Sequence, residues 1–181
     1  MTATKKLSQK YKEEILPSLA KEYGEKNIFA LPKLEKIVIN VGAGEGATNK
    51  KVLESVTTDI TAIAGQKPVI TLAKKSVSAF KIRRGLAIGV KVTLRAEKMY
   101  SFLEKFLRLV LPRIRDFRGI STKNIDKSGN LSIGLTDQTL FPEIEYDKID
   151  RIRGLQVTIV VKNSNKERSL SMFKALGVPF I

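Results

Sequence analysis

Three stretches of this chain alternate with a period of two, and that pattern leaves few options for the fold. In KLEKIVINVG, Ile37, Ile39 and Val41 take one side, while Lys36, Val38 and Asn40 take the other. GVKVTLR sets Val90, Val92 and Leu94 against Lys91, Thr93 and Arg95, and QVTIVVK turns Val157, Ile159 and Val161 inward. Shorter strands are expected around Pro68–Leu72 and at Leu131, Ile133 and Leu135. Such strands bury one face only, so helices must cover the apolar side.

The helices are legible from a period near 3.6. Leu7, Tyr11, Ile15 and Leu19 stand four apart, with Leu16 and Tyr23 widening the stripe and Gly24 ending it. Pro17 falls inside, and a kink or break is expected there. A second helix spans roughly residues 49–64, with Val52, Val56, Ile60 and Ile63 inward and Gly65 at its end. A third begins near Glu97, carries Met99, Phe102, Leu103, Phe106, Leu107 and Val110, and is closed by Pro112. The last opens with Ser164 and Glu167 as a capping box and stops at Gly177. Residues 113–152 read as loop-rich. Strands follow one another without the helix that each parallel crossover needs. The expected class is therefore α+β, a mainly antiparallel sheet with helices on one face and a long basic loop. No repeat or linker divides the 181 residues, so one domain, 1–181, is expected.

Charge then says what the polar face is for. Between Asp59 and Glu97 there is no acid, yet there are eight bases: Lys67, Lys74, Lys75, Lys81, Arg83, Arg84, Lys91 and Arg95. They make up more than half of the formal net charge of +15. Like charges in such a run repel unless a polyanion lies against them, and nucleic acid is the large polyanion of the cell. The 43% of hydrophobic residues assign this charge to a folded protein and not to a tail. With no Cys and no His, the chain has no thiolate nucleophile and lacks the commonest general base and metal ligand. No apolar run is long enough to span a bilayer, and MTATKKLSQKYKEE has no apolar signal core. A soluble, cytoplasmic chain without cofactor, metal, membrane or small-molecule substrate is expected.

Candidate contacts follow from these patterns. The polar sheet face offers Lys36, Asn40, Lys91, Thr93, Arg95, Thr158 and Lys162, which suit phosphates, sugar hydroxyls and bases. The alternative is a solvated face. LAKKSVSAFKIRRG combines five cations with Phe80, which either stacks on a base or anchors the loop on the protein body. GAGEG at Gly42–Gly46 has the wrong glycine spacing for a dinucleotide loop and reads as a plain turn. Glu143, Glu145, Asp147 and Asp150 could hold Mg²⁺, or form a solvated or protein-facing acidic segment. Arg113, Arg115 and Arg118 beside Phe117 make a second basic-aromatic patch, which either touches RNA or flanks a helix end.

ITAIAGQKPVITLAKKS (Ile60 to Ser76), with KIVINVGAGE before it and IGVKVTLR, LPRIRDFRG, FPEI and LGVPF after it, resembles the bacterial large-subunit ribosomal protein L-five family. The resemblance runs through essentially the whole chain. It implies an α+β sandwich that binds 5S ribosomal RNA in the central protuberance. It also implies contacts with 23S rRNA, P-site tRNA, the small-subunit protein S-thirteen and neighbouring 5S-associated proteins. By matched motif, Lys36, Asn40, Gln66 and Thr93 fall at 5S-contact positions, with Lys91 and Arg95 beside them on the same face. Lys74, Lys75, Ser76, Phe80, Lys81, Arg83 and Arg84 match the tRNA-facing loop. Two segments depart from the family pattern. Ala87 stands where a proline is common, so a less rigid loop exit is expected, and IDKSGNL replaces an aromatic, arginine-containing stretch. A non-catalytic ribosomal RNA-binding protein is the expectation. The alternative is an extra-ribosomal RNA-binding factor or RNA chaperone of the same fold.

Overall fold

The computed structural model describes residues 7–25, 27–47, 49–146 and 149–181. Five strands form an antiparallel sheet in the order β2-β3-β1-β5-β4, with four helical segments packed against it. The strands are β1 (Lys33–Gly42), β2 (Val69–Leu72), β3 (Ala87–Leu94), β4 (Leu131–Leu135) and β5 (Leu155–Lys162). The helices are α1 (Leu7–Lys10), α2 (Leu16–Tyr23), α3 (Lys50–Ala64), α4 (Ala96–Lys105) and α5 (Lys166–Ala175), with α1 and α2 joined into one rod. The inward residues read from alternation are all buried: Ile37, Ile39, Val41, Val90, Val92, Leu94, Val157, Ile159 and Val161. The alternation of β1 slips once, at Glu35 and Lys36, which are both half-buried.

The chain divides into two compact units. One comprises Met1–Ile37, Arg95–Ile133 and Thr158–Ile181; the other comprises Val38–Leu94 and Gly134–Val157. In the first, Tyr11, Ile15 and Leu19 are buried along the amino-terminal rod, and Met99, Phe102, Leu103 and Phe106 along α4 and its continuation. Full burial of side chains of this size contributes roughly 1.5–3 kcal/mol each. In the second, α3 buries Val52, Val56, Ile60 and Ile63. Asn49 caps its start by accepting from the Lys51 N–H, and Gly65 ends it at φ 60°.

Of the kink or break expected at Pro17, the break does not occur. Tyr11–Ile15 widens into a π-helical turn instead, and the Leu16 N–H donates to the Tyr11 carbonyl, five residues back. Pro112 is handled in the same way: Phe106–Val110 is π-helical and the Leu111 N–H donates to the Phe106 carbonyl. A proline ring collides with the carbonyl four residues back, and one extra residue in the preceding turn moves that carbonyl aside. The cap of α5 also differs from expectation. Asn165, not Ser164, accepts the Arg168 N–H at 2.9 Å, while the Ser164 hydroxyl accepts from Ser169 at 2.8 Å. Among the described residues no helix is long and apolar enough to cross a membrane.

Candidate nucleic-acid interface

The basic stretch is an ordered hairpin where the sequence suggests a long loop. β2 pairs with β3 as Val69↔Lys91, Ile70↔Val90 and Thr71↔Gly89, and then skips Ile88 to pair Leu72 with Ala87. This one-residue bulge is held from the other side, because the Ala43 N–H donates to the Ile88 carbonyl at 2.9 Å. Gly89 is required here, since a Cβ would stand 2.7 Å from the Val41 carbonyl oxygen and 2.9 Å from Thr71 Oγ1. Beyond the bulge the ladder resumes: the Ala73 N–H donates to Leu86 at 2.8 Å and the Gly85 N–H to Ala73 at 2.9 Å. Ala87, at the hairpin exit, therefore follows a bonded backbone.

The tip is a second, smaller hairpin. Val77 and Ile82 exchange backbone hydrogen bonds of 2.8 and 3.1 Å around a 3₁₀ turn at Ser78–Phe80. Ser76 braces its base, its hydroxyl accepting the Arg84 N–H at 3.0 Å. Phe80 is 75% exposed, which answers whether it anchors the loop on the protein body: it does not. Lys74, Lys75, Lys81, Arg83 and Arg84 are all exposed, and none pairs with a carboxylate among the described residues. The result is a braced finger of unneutralised cations around an aromatic ring, a surface suited to phosphates and unstacked bases.

Within the same unit, Asn40 and Lys91 are exposed and Thr93 is half-buried on the polar side of the sheet. Gln66 follows the left-handed Gly65 cap, and its Nε2 donates to the Thr93 carbonyl at 3.3 Å. That bond brings together two positions that alternation alone does not connect. It also leaves the Gln66 Oε1 as an acceptor. In the other unit, Lys36 and Arg95 flank one carboxylate: Glu35 lies 3.6 Å from the Lys36 ammonium and 3.5 Å from the Arg95 guanidinium. Nothing in the strand pattern singles out Glu35. One acid shared between two cations leaves them net positive, and it orients both.

A quite different set of charges gathers around Gln138 and residues 150–153. Gln138 is 4% exposed; its Nε2 donates to the Arg151 carbonyl at 2.8 Å and its Oε1 accepts the Arg153 N–H. The Arg153 guanidinium, 10% exposed, bonds Asp150 at 3.1 Å and lies 4.0 Å from Glu45, which also pairs with Arg151. Asp59 faces the same arginine. Burial pushes its carboxyl up from the ordinary value, against the pull of the Arg153 charge and the Gln138 hydrogen bond.

These contacts give ordinary structural roles to two motifs. Glu45 of GAGEG is an ion-pair partner in a 3₁₀ turn, and Gly46 is small because a Cβ would meet the Leu53 side chain at 2.5 Å. Of the acidic cluster, Asp150 belongs to Arg153, and Asp147 lies outside the described residues. Among the described residues no group of three or more acidic side chains could hold a metal ion. Arg113, Arg115 and Arg118 are exposed and Phe117 is half-buried.

Comparison with known proteins fits this surface. Residues 27–83 match the family model described as ribosomal protein L5, and residues 87–180 match the model of the same ribosomal family's C-terminus. The chain belongs to the ribosomal protein L5 family. It is 55% identical over 174 residues to the large ribosomal subunit protein uL5 of Symbiobacterium thermophilum, covering 96% of this chain and 97% of that one. It is 53% identical over 177 residues to the uL5 of Chloroflexus aggregans, covering 98% of each. With the uL5 of Roseiflexus sp. strain RS-1 it shares 51% over 175 residues, 97% of both chains. L5 proteins are structural, non-enzymatic ribosomal components, in keeping with a surface rich in cations.

Proposed function

We propose that this structural constituent of the large ribosomal subunit binds 5S rRNA through the polar sheet face and reaches P-site tRNA with its basic finger. Residues 1–181 act as one RNA-binding domain in the cytoplasmic ribosome. Lys36, Asn40, Gln66, Lys91, Thr93 and Arg95 make the 5S contacts. Lys74, Lys75, Ser76, Phe80, Lys81, Arg83 and Arg84 form the tRNA-facing surface. 23S rRNA, the small-subunit protein S-thirteen and the neighbouring 5S-associated proteins complete its surroundings. The observation that carries the reading is the braced finger, whose five cations have no carboxylate partner among the described residues. Unpartnered cations on an ordered backbone are pre-organised for phosphates.

The test is binding of the purified chain to 5S rRNA against a tRNA competitor across a salt series. Affinity for 5S that survives excess tRNA near physiological salt is expected. Asn40→Ala and Gln66→Ala should each weaken it about fivefold, the scale of one lost hydrogen bond, without a change in far-UV circular dichroism. Equal binding of both RNAs, lost steeply with salt, would mean that charge acts alone and would remove the sheet face from the site.

A further inference from the structure

The first unit contains a groove of about 440 Å³ that shares with the candidate contacts above only Lys162, and none of the residues proposed to meet 5S rRNA or tRNA. Its floor includes the buried Tyr11 and Leu31, and its wall carries Ile28, 61% exposed, and Phe29, 85% exposed. The backbone beneath these two side chains is fixed. Asn27 Oδ1 accepts the Phe29 N–H at 2.9 Å, and Asn163 Nδ2 donates to the Phe29 carbonyl at 2.8 Å. A large aromatic ring is thus held out in water by a turn whose polar groups are satisfied. Lys12, Lys33 and Lys162 line the same groove, all exposed, and none pairs with an acid among the described residues. Among the described residues no carboxylate lines it.

We infer that this groove binds single-stranded RNA, with an unstacked base against Phe29 and the adjoining phosphates among Lys12, Lys33 and Lys162. The charge complementarity is one-sided. Three flexible ammonium groups around an exposed aromatic ring suit a ligand that joins a flat apolar face to a run of negative charge, and a nucleotide strand has both. The fixed turn lowers the ordering cost of capture.

The chain contains no Trp, so Phe29→Trp places a single fluorescent reporter on the groove. The substitution is made in full-length protein that also carries Asn40→Ala, Lys74→Gln, Lys75→Gln, Arg83→Gln and Arg84→Gln, which weakens the surfaces proposed above, and the indole at position 29 reports on the groove alone. The outcome is therefore independent of the 5S reading. A short oligouridylate is expected to quench the introduced indole in a saturable way. Lys12→Gln, Lys33→Gln and Lys162→Gln together should weaken that binding about tenfold or more and flatten its salt slope by about two. Absence of quenching would overturn the proposal, as would quenching indifferent to the three lysines. Quenching by polyglutamate but not by RNA would assign the groove to an acidic protein and overturn it equally.

Discussion

The finger at 73–86 and the stretch at 149–153 are both rich in charge, and they treat it in opposite ways. The finger satisfies its backbone and leaves its side chains alone: Val77 pairs with Ile82 and Ser76 braces Arg84, while five cations and Phe80 face water. The 149–153 stretch has its charges answered within the chain. Arg151 and Arg153 are bound to Glu45 and Asp150, and Gln138 sits buried beneath them. Charge answered within the chain is structural, and charge left unanswered on an ordered scaffold is available to a partner. By that criterion the finger is open to a partner, as the proposed function requires, and the arginine network serves folding.

The largest effect should come from stripping the finger. Replacing Lys74, Lys75, Arg83 and Arg84 with glutamine should lower tRNA affinity by on the order of 10²–10³ and flatten its salt slope by about three. Because these side chains hold no ion pair among the described residues, the melting temperature should stay within about 1 °C. Filter binding and a thermal melt on the same preparation read both quantities. 5S affinity should suffer less than tRNA affinity; equal loss of both would mean that the finger and the sheet face are not separate surfaces. Gln138→Ala is the converse. It strands a buried N–H and a buried carbonyl, which should cost about 2 kcal/mol of stability. In a chain of this size that lowers the melting temperature by roughly 4–8 °C. RNA affinity should change less than twofold, and a loss of affinity at unchanged stability would place Gln138 in the interface.

Legibility in the sequence follows the same division. The strands and helices are readable because burial imposes a local period: Ile37, Ile39 and Val41 can be placed inward from three alternate positions. The finger is readable as basic, but its order is not. The bridge between Val77 and Ile82 and the bulge at Ile88 depend on backbone bonds that leave no periodic trace. The arginine network is invisible in the sequence, because Arg151 and Glu45 lie 106 positions apart and no spacing rule connects them. Glu35 escapes for a different reason. A carboxylate next to Lys36 in sequence looks like mixed surface charge until the fold brings Arg95 to its other side. At Pro17, where the sequence offers a kink or a break, the helix is not broken, because it can absorb a proline by widening one turn.

The smallest effect belongs to Asp59, and its sign tests how far the network compensates the charges that it gathers. Burial raises the Asp59 carboxyl above its ordinary value of 3.8, and this outweighs the attraction of Arg153 and the bond from Gln138. The folded state therefore holds this proton more tightly than the unfolded chain does. The resulting stabilisation is complete below the unfolded value and is lost as pH rises through the folded one. At neutral pH the ionised Asp59 is a modest liability, screened because the group is only half-buried. Asp59→Asn removes the titration and keeps the shape. Melts recorded from about pH 4 to about pH 7 should show the variant gaining on the parent as pH rises, with 5S binding unchanged. Arg153 keeps Asp150 and Glu45 in the variant, so its own charge stays answered. A gap that narrows with rising pH would mean that the Arg153–Asp59 attraction outweighs desolvation. The arginine network would then rest on one more productive ion pair than its burial suggests.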